Sequence, residues 1–174
     1  IVFYNLAGKS FANSFQTQLD FIPAKNLELR LAYKYYDVQA DFAGGKRQIP
    51  FMAKNRGFFN AAYTTERNSK GGFWSFDTTL QLIGKQKLPN LNSNPAEFRL
   101  PEYSDSFATL NAQISRNFNK NIRVYLGGEN LTSYTQNQPI MDANNPFGNY
   151  FDGGMVYAPI MPANFYVGVD FSFN

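Results

Sequence analysis

The segment NFYVGVDFSFN (164–174) decides how the rest of the chain is read. Phe165, Val167, Val169, Phe171 and Phe173 are apolar, while Tyr166, Gly168, Asp170 and Ser172 between them are mostly small or polar. Apolar residues at every second position mark an extended strand, because successive side chains of a strand point to opposite faces. One face of this strand is wholly greasy, and the sequence offers no amphipathic helix to cover it.

The same period of two recurs upstream. LELRLAYKYY (27–36) sets Leu27, Leu29, Leu31, Tyr33 and Tyr35 against Glu28, Arg30, Ala32, Lys34 and Tyr36. FWSFDTTLQLIG (73–84) sets Trp74, Phe76, Thr78, Leu80 and Leu82 against Ser75, Asp77, Thr79 and Gln81. FATLNAQIS (107–115) and IRVYLGGE (122–129) repeat it, with Gln113, Arg123 and Glu129 on the polar side. Between Phe11 and Phe21, Phe15, Thr17, Leu19 and Phe21 oppose Ser14, Gln16, Gln18 and Asp20. RGFFNAAYTT (56–65) is blurred, and Phe59, Ala61 and Tyr63 are taken as its apolar side. Helical periodicity has no good segment, so the chain reads as all-β, with about seven strands and a stub at Ile1–Asn5.

Connector lengths alternate. Short, turn-like ones fall at Pro23–Asn26, Glu66–Gly71 and Asn117–Asn121; long ones fall at Asp41–Arg56, Gly84–Ser106 and Thr132–Ala163. Such alternation puts every long loop at one end of the sheet, as in outer-membrane barrels with short periplasmic turns and longer extracellular loops. The polar faces point the same way. In a soluble sandwich Glu28, Arg30, Lys34, Asp77, Gln81, Gln113, Arg123 and Glu129 would enter the core, at a cost on the order of several kcal/mol for each unpaired charge. In a wide barrel they face a watery or plugged lumen, and the apolar set faces lipid. Aromatics gather where the two girdles of such a barrel sit: Tyr33 and Tyr35 near a long loop, Phe21, Tyr63, Trp74, Phe171 and Phe173 near short turns. The alternative is a half-exposed antiparallel sheet packed on another domain.

Composition agrees without deciding. The 174 residues suffice for one domain, 44% are apolar and 17% aromatic, supplied mainly by 18 Phe and 11 Tyr. Mean hydropathy is −0.38, and no run approaches the roughly 18 apolar residues of a membrane helix, but a barrel hides its apolar residues at alternate positions. The net charge of +3 is spread out, without the basic stripe of a nucleic-acid binder. The strand-like start IVFYN (1–5) suggests a piece of something larger, or a processed N-terminus.

Catalysis finds little support. The chain has no Cys and no His, which removes disulfides, thiolate metal sites and the Ser–His and Cys–His nucleophile systems. The carboxylates sit singly, and the pairs Gly44–Gly45, Gly71–Gly72 and Gly127–Gly128 suit turns or bulges better than phosphate loops. No cofactor is expected. The four methionines, Met52, Met141, Met155 and Met161, all fall in long loops. Thioethers suit Cu(I), but without His or Cys beside them flexible packing filler explains them as well. Lys46, Arg47, Lys54 and Arg56 around one long loop, with Lys85 and Lys87 nearby, would steer an anionic ligand or pair with lipopolysaccharide head groups.

Several stretches carry a resemblance to a known family. NLAGKSFANSFQTQLDF (5–21), NLELRLAYKYYD (26–37), GGENLTS (127–133) and NPFGNYFDGGMVYAPIMPANFYVGVDFSF (145–173) resemble successive segments of the C-terminal barrel of a TonB-dependent outer-membrane receptor, in the style common in Bacteroidetes. The resemblance implies an antiparallel up-and-down transmembrane β-barrel of roughly 22 strands, of which residues 1–174 would supply seven or eight at the C-terminal end. The family's plug domain and TonB box would lie outside this chain. It further implies nutrient uptake across the bacterial outer membrane: a chelated metal, cobalamin, glycan or peptide as ligand, and a plug, the TonB complex, the barrel assembly machinery, lipid and lipopolysaccharide as partners. On that basis Arg47, Met52, Lys54, Met141, Tyr150 and Met155 are candidate ligand contacts in extracellular loops, and Phe173 is the terminal aromatic of the assembly signal. The family's last residue is usually that aromatic itself; here Asn174 follows it. The other reading is a small standalone or split outer-membrane barrel with a structural or interaction role.

Overall fold

The computed structural model describes residues 8–42 and 45–173. They form β1 (Ser10–Ala24), β2 (Leu27–Phe42), β3 (Gly45–Gln48), β4 (Asn55–Thr64), β5 (Phe73–Ile83), β6 (Phe107–Asn117), β7 (Ile122–Glu129) and β8 (Asn164–Phe171), plus a 3-10 turn at Ala96–Phe98. All eight strands belong to one antiparallel sheet in the order β1-β2-β4-β5-β6-β7-β8, with β3 pairing back on β2. Among the described residues no helix is long and apolar enough to cross a membrane. Among the described residues β1 and β8 pair on one side only, so this part of the sheet has two open edges.

The registers line up the alternating residues into rows. Leu19, Leu31, Phe59, Leu80 and Leu110 are successive partners across five strands. Closer to the short turns, Leu27, Tyr63, Phe76, Ile114, Leu126 and Val167 form a second row. The small residues Ala61, Thr78, Ala112 and Gly128 run between them and leave a shallow hollow of about 480 Å³. Apart from Leu131 over Gly128, little among the described residues covers this face: Phe165 is 68% exposed and Val167 73%. Such an exposed apolar area is untenable in water and natural in lipid. The choice of Phe59, Ala61 and Tyr63 as the apolar side of β4 agrees with their partners Leu31, Leu29 and Leu27.

The buried core lies elsewhere. Among the described residues the buried side chains include Ala53, Gln86, Leu88, Ser104 and Gln136, all in the connectors at the long-loop end. The short turns at the other end are closed by asparagines. Asn26 takes φ 64°, a left-handed conformation that asparagine tolerates. The Asn68 side-chain oxygen accepts from the backbone N–H of Lys70 and Gly72, and that of Asn119 from Asn121 and Ile122. Lys25 and Glu66, on neighbouring turns, pair at 2.5 Å. Their exposed hydrogen bond holds the Glu66 carboxyl below the ordinary range and the Lys25 ammonium above it.

Three details differ from the sequence reading. Asp41–Arg56 is not all loop: β2 runs on to Phe42 and β3 returns against it, pairing Asp41 with Lys46 and Ala40 with Arg47. Opposite charges across strands and the positive φ of Gly45 favour that hairpin. β1 runs past Phe21 to Ala24, with a register shift between them where Pro23 cannot donate to the ladder. β8 ends at Phe171, so Phe173 lies beyond the strand and is 94% exposed. The expected stub at Ile1–Asn5 falls outside the described residues.

Candidate functional site: the polar face and the loop layer

The side of the sheet opposite the apolar rows carries all eight polar residues expected there. Glu28, Ala62, Asp77, Gln113 and Gly127 are consecutive partners across β2, β4, β5, β6 and β7. Arg30 shares this face with Asn60 and Thr79, Gln81 with Phe58 and Thr109, Arg123 with Asp170, and Glu129 with Asn164.

Hydrogen bonds tie much of this face into a lattice. Arg30 pairs with Asp20, whose carboxylate also accepts from Gln18. Arg123 lies 3.5 Å from Asp170 and donates to the Ser115 hydroxyl at 3.2 Å. The Asn60 amide reaches the Asp77 carboxylate at 3.3 Å and the Thr79 hydroxyl at 3.0 Å. Tyr166 donates its hydroxyl proton to Gln113 at 3.1 Å. That tyrosine lies over Gly127, and Tyr125 lies over Gly168 in the neighbouring pair; a Cβ on either glycine would collide with the facing ring. Each aromatic thus fills the space a cross-strand side chain would occupy.

Charges on this face are not all neutralised: Glu28 and Glu129 belong to no ion pair among the described residues, and two cations are brought face to face. Lys34 stands directly opposite Arg56, and neither belongs to an ion pair among the described residues. Like charges facing each other across strands repel. Lys34 is drawn over the Tyr36 ring, 4.9 Å from its centroid. With Arg30, Gln16, Gln18 and Gln81 the two cations line a hollow of about 340 Å³, and a smaller one of about 210 Å³ adjoins them at Tyr36, Met52 and Ala53. Arg56, expected at the end of the long Asp41–Arg56 connector, instead lies in β4 on the polar face; the double Phe of RGFFNAAYTT blurs the alternation that would place it there. Counting back from Phe59, Ala61 and Tyr63 would have found it.

Above this face the long connectors form a packed layer. Gln136, 5% exposed, donates to the Met155 carbonyl at 2.8 Å and accepts from the N–H groups of Tyr157 and Ala158. Gln86 donates to the Tyr157 carbonyl at 2.9 Å, joining the β5–β6 connector to the β7–β8 connector. Phe107 stacks on Tyr134, and Phe98 on Tyr150. Burial, with the Asp105 charge second, raises the Tyr134 phenol; burial, with Tyr134 and Asp105 behind it, raises that of Tyr157. Both stay neutral at physiological pH.

The six expected loop contacts do not converge. Arg47 is exposed on β3. Lys54 is held by Asp37 at 3.1 Å. Met52 lines the small hollow beside Lys34, whereas Met141 lines a separate one with Glu97 and Phe98, against which Tyr150 stacks. Met155 contributes its carbonyl to the Gln136 clamp. Among the described residues no group of three or more His, Cys, Asp or Glu gathers to hold a metal.

An antiparallel sheet with one lipid-suited face, one charged face and all long loops at one end defines an outer-membrane barrel protein. Residues 4–131 match the family model described as TonB dependent receptor-like, beta-barrel. That span is well over half of the chain, and the chain belongs to this family: part of a receptor barrel of the bacterial outer membrane, a transport protein rather than an enzyme. Barrels of this kind work with a plug domain, with TonB and with a ligand. No curated protein and no solved structure matches the chain.

Proposed function

We propose that this chain is the C-terminal wall and loop layer of a TonB-dependent importer, with its polar face lining the lumen around a plug and its three long connectors facing the cell exterior. The polar set from Glu28 to Glu129 then contacts the plug, water or passing cargo. The two edges left open among the described residues favour a segment of a larger barrel over a small standalone one, since an unclosed sheet leaves backbone groups without partners in lipid. Basic residues near the mouth, Arg47 and Lys46 among them, pair with lipopolysaccharide. Phe173, free beyond β8, is available to the barrel assembly machinery.

The observation that carries the cargo side of this reading is the opposed pair Lys34 and Arg56 on the polar face, close to the loop layer and without an acid partner among the described residues. Two facing cations are relieved by an anion between them, so the hollow favours a cargo bearing carboxylate, phosphate or a similar group. Among the nutrient classes such receptors take, an anionic metal chelate fits better than a neutral glycan. The test is calorimetric titration of the full-length receptor with ferric citrate, cobalamin, a neutral oligosaccharide and an acidic peptide. Lys34→Gln combined with Arg56→Gln should weaken the anionic probes by about tenfold or more and leave the oligosaccharide unchanged. Uptake of the bound probe should vanish in cells lacking TonB. Binding of anionic probes unaffected by the double change would remove the anion assignment. Import that persists without TonB would remove the transport mechanism.

A further inference from the structure

Arg116 stands out on the apolar face. Among the described residues at that parity, Asp37, Asp41 and Lys46 are also charged, but they sit on the β2–β3 hairpin at the long-loop end. Arg116 instead lies at the short-turn end of β6, directly opposite Trp74 on one side and Val124 on the other. Its guanidinium carbon is 5.1 Å from the Trp74 ring centroid and 5.6 Å from that of Phe118. Both rings are open to the surroundings, 40% and 50% exposed. None of the ion pairs among the described residues includes Arg116.

A charge facing hydrocarbon is costly, so this side chain belongs at head-group depth, where the adjoining Asn117–Asn121 turn leaves the sheet. A guanidinium gripped between two aromatic faces keeps its edge donors available, and those match the oxygens of a phosphate. The surrounding rim has the complementary charge. Lys25, Arg67, Lys70 and Lys120 lie within the short turns, where Glu66 is the one acid and Lys25 already engages it; Glu28 and Asp170 lie inside the strands on the opposite, polar face. Anionic head groups are attracted to such a rim.

We propose that Arg116, clamped by Trp74 and Phe118, binds the phosphate of a glycerophospholipid in the leaflet that faces the short turns. The site depends on the placement of the sheet in the outer membrane and is independent of cargo. Simple snorkelling would require only that the charge reach water; here two rings fix the side chain beside the acyl-chain region.

The test is native mass spectrometry of the full-length receptor in neutral detergent, titrated with dioleoylphosphatidylglycerol or with dioleoylglycerol, which lacks the phosphate. Unmodified receptor should retain the phosphatidylglycerol and shed the diacylglycerol. Arg116→Gln should weaken the tightest phosphatidylglycerol site by about tenfold, and Arg116→Lys by less, because a lysine keeps the charge and loses the planar fork. Heat-modifiable gel migration verifies that each variant is folded. Should Arg116→Gln fail to fold, the lysine variant and the two lipids on unmodified receptor still decide. Equal retention of both lipids, or a glutamine variant that binds like the original, overturns the proposal. Displacement of the lipid by millimolar inorganic phosphate would also overturn it, since that marks a free-anion site.

Discussion

Single side chains reveal how far alternation can be trusted. The outward residues Leu29, Leu31, Phe76, Leu80, Val167 and Val169 were legible directly, because a strand allows each only one of two faces. Gly127 and Gly168 were not. In the sequence Gly127 reads as part of a turn or bulge and Gly168 as a small residue on the polar side; both instead lie in unbroken strand register, and each makes room for a tyrosine from the next strand. Gly127→Val should therefore force the Tyr166 ring aside and destabilise the barrel by about 1–3 kcal/mol, read as a lower urea midpoint with the slope unchanged. Tyr166→Phe, which removes only the hydrogen bond to Gln113, should cost about 0.5–1.5 kcal/mol. Asp37 shows a second hidden contact. Its carboxyl lies beyond the apolar span that ends at Tyr35 and is held below the ordinary range by the Gln39 amide first and the Lys54 ammonium second. A depressed carboxyl stabilises above its unfolded pKa and loses that contribution as pH falls through the folded value. Lys54 is raised by Asp37, so its contribution is complete below its unfolded pKa and fades only as pH climbs through the folded one. Protease cleavage within 41–56 should thus be flat from about pH 5 to about pH 9 and rise in acid, with Asp37→Asn losing the acid step.

Among strands and connectors, the strands were the readable part and the connectors the unreadable part. Seven strands announce themselves by period two. β3 does not: four residues are too few for a period, and the alternation of its partner strand fades after Tyr36. The long connectors stand out in the sequence for methionines and basic residues, yet what organises them is a different set: they contain most of the buried side chains, held by Gln86, Ser104 and Gln136. Nothing in the sequence marks a glutamine as a buried clamp, since its partners are backbone groups about twenty residues or more away. Gln136→Ala would leave the N–H groups of Tyr157 and Ala158 and the Met155 carbonyl without their partner, at about 1–3 kcal/mol. The loss should stay local. Amide exchange should speed up in 132–163 while β5 and β6 keep their protection, and an equal rise throughout the sheet would show that the connectors are structurally continuous with it.

At the largest scale the described residues form a sheet with two chemistries, one on each face, and two open edges. Its fold class and its outer-membrane setting followed from alternation, loop placement and charge together, and the family match agrees. The arrangement of the polar face did not follow, because opposition of Lys34 and Arg56 depends on a register that no single strand encodes. Nor did the separation of the six loop residues, which depends on how three connectors pack. The central claim is that the apolar rows meet lipid while the charged rows meet a lumen. Spin labels placed singly along β8 of the full-length receptor in bilayers test it most directly, by comparing collision with dissolved oxygen and with a water-soluble nickel chelate. Positions 165, 167 and 169 should favour oxygen, and positions 164, 166 and 168 should favour the chelate or be shielded from both by the plug, giving a period of two. If the odd-numbered positions instead prove accessible to the chelate, or closed to oxygen, the apolar face does not meet lipid and the membrane wall is contradicted.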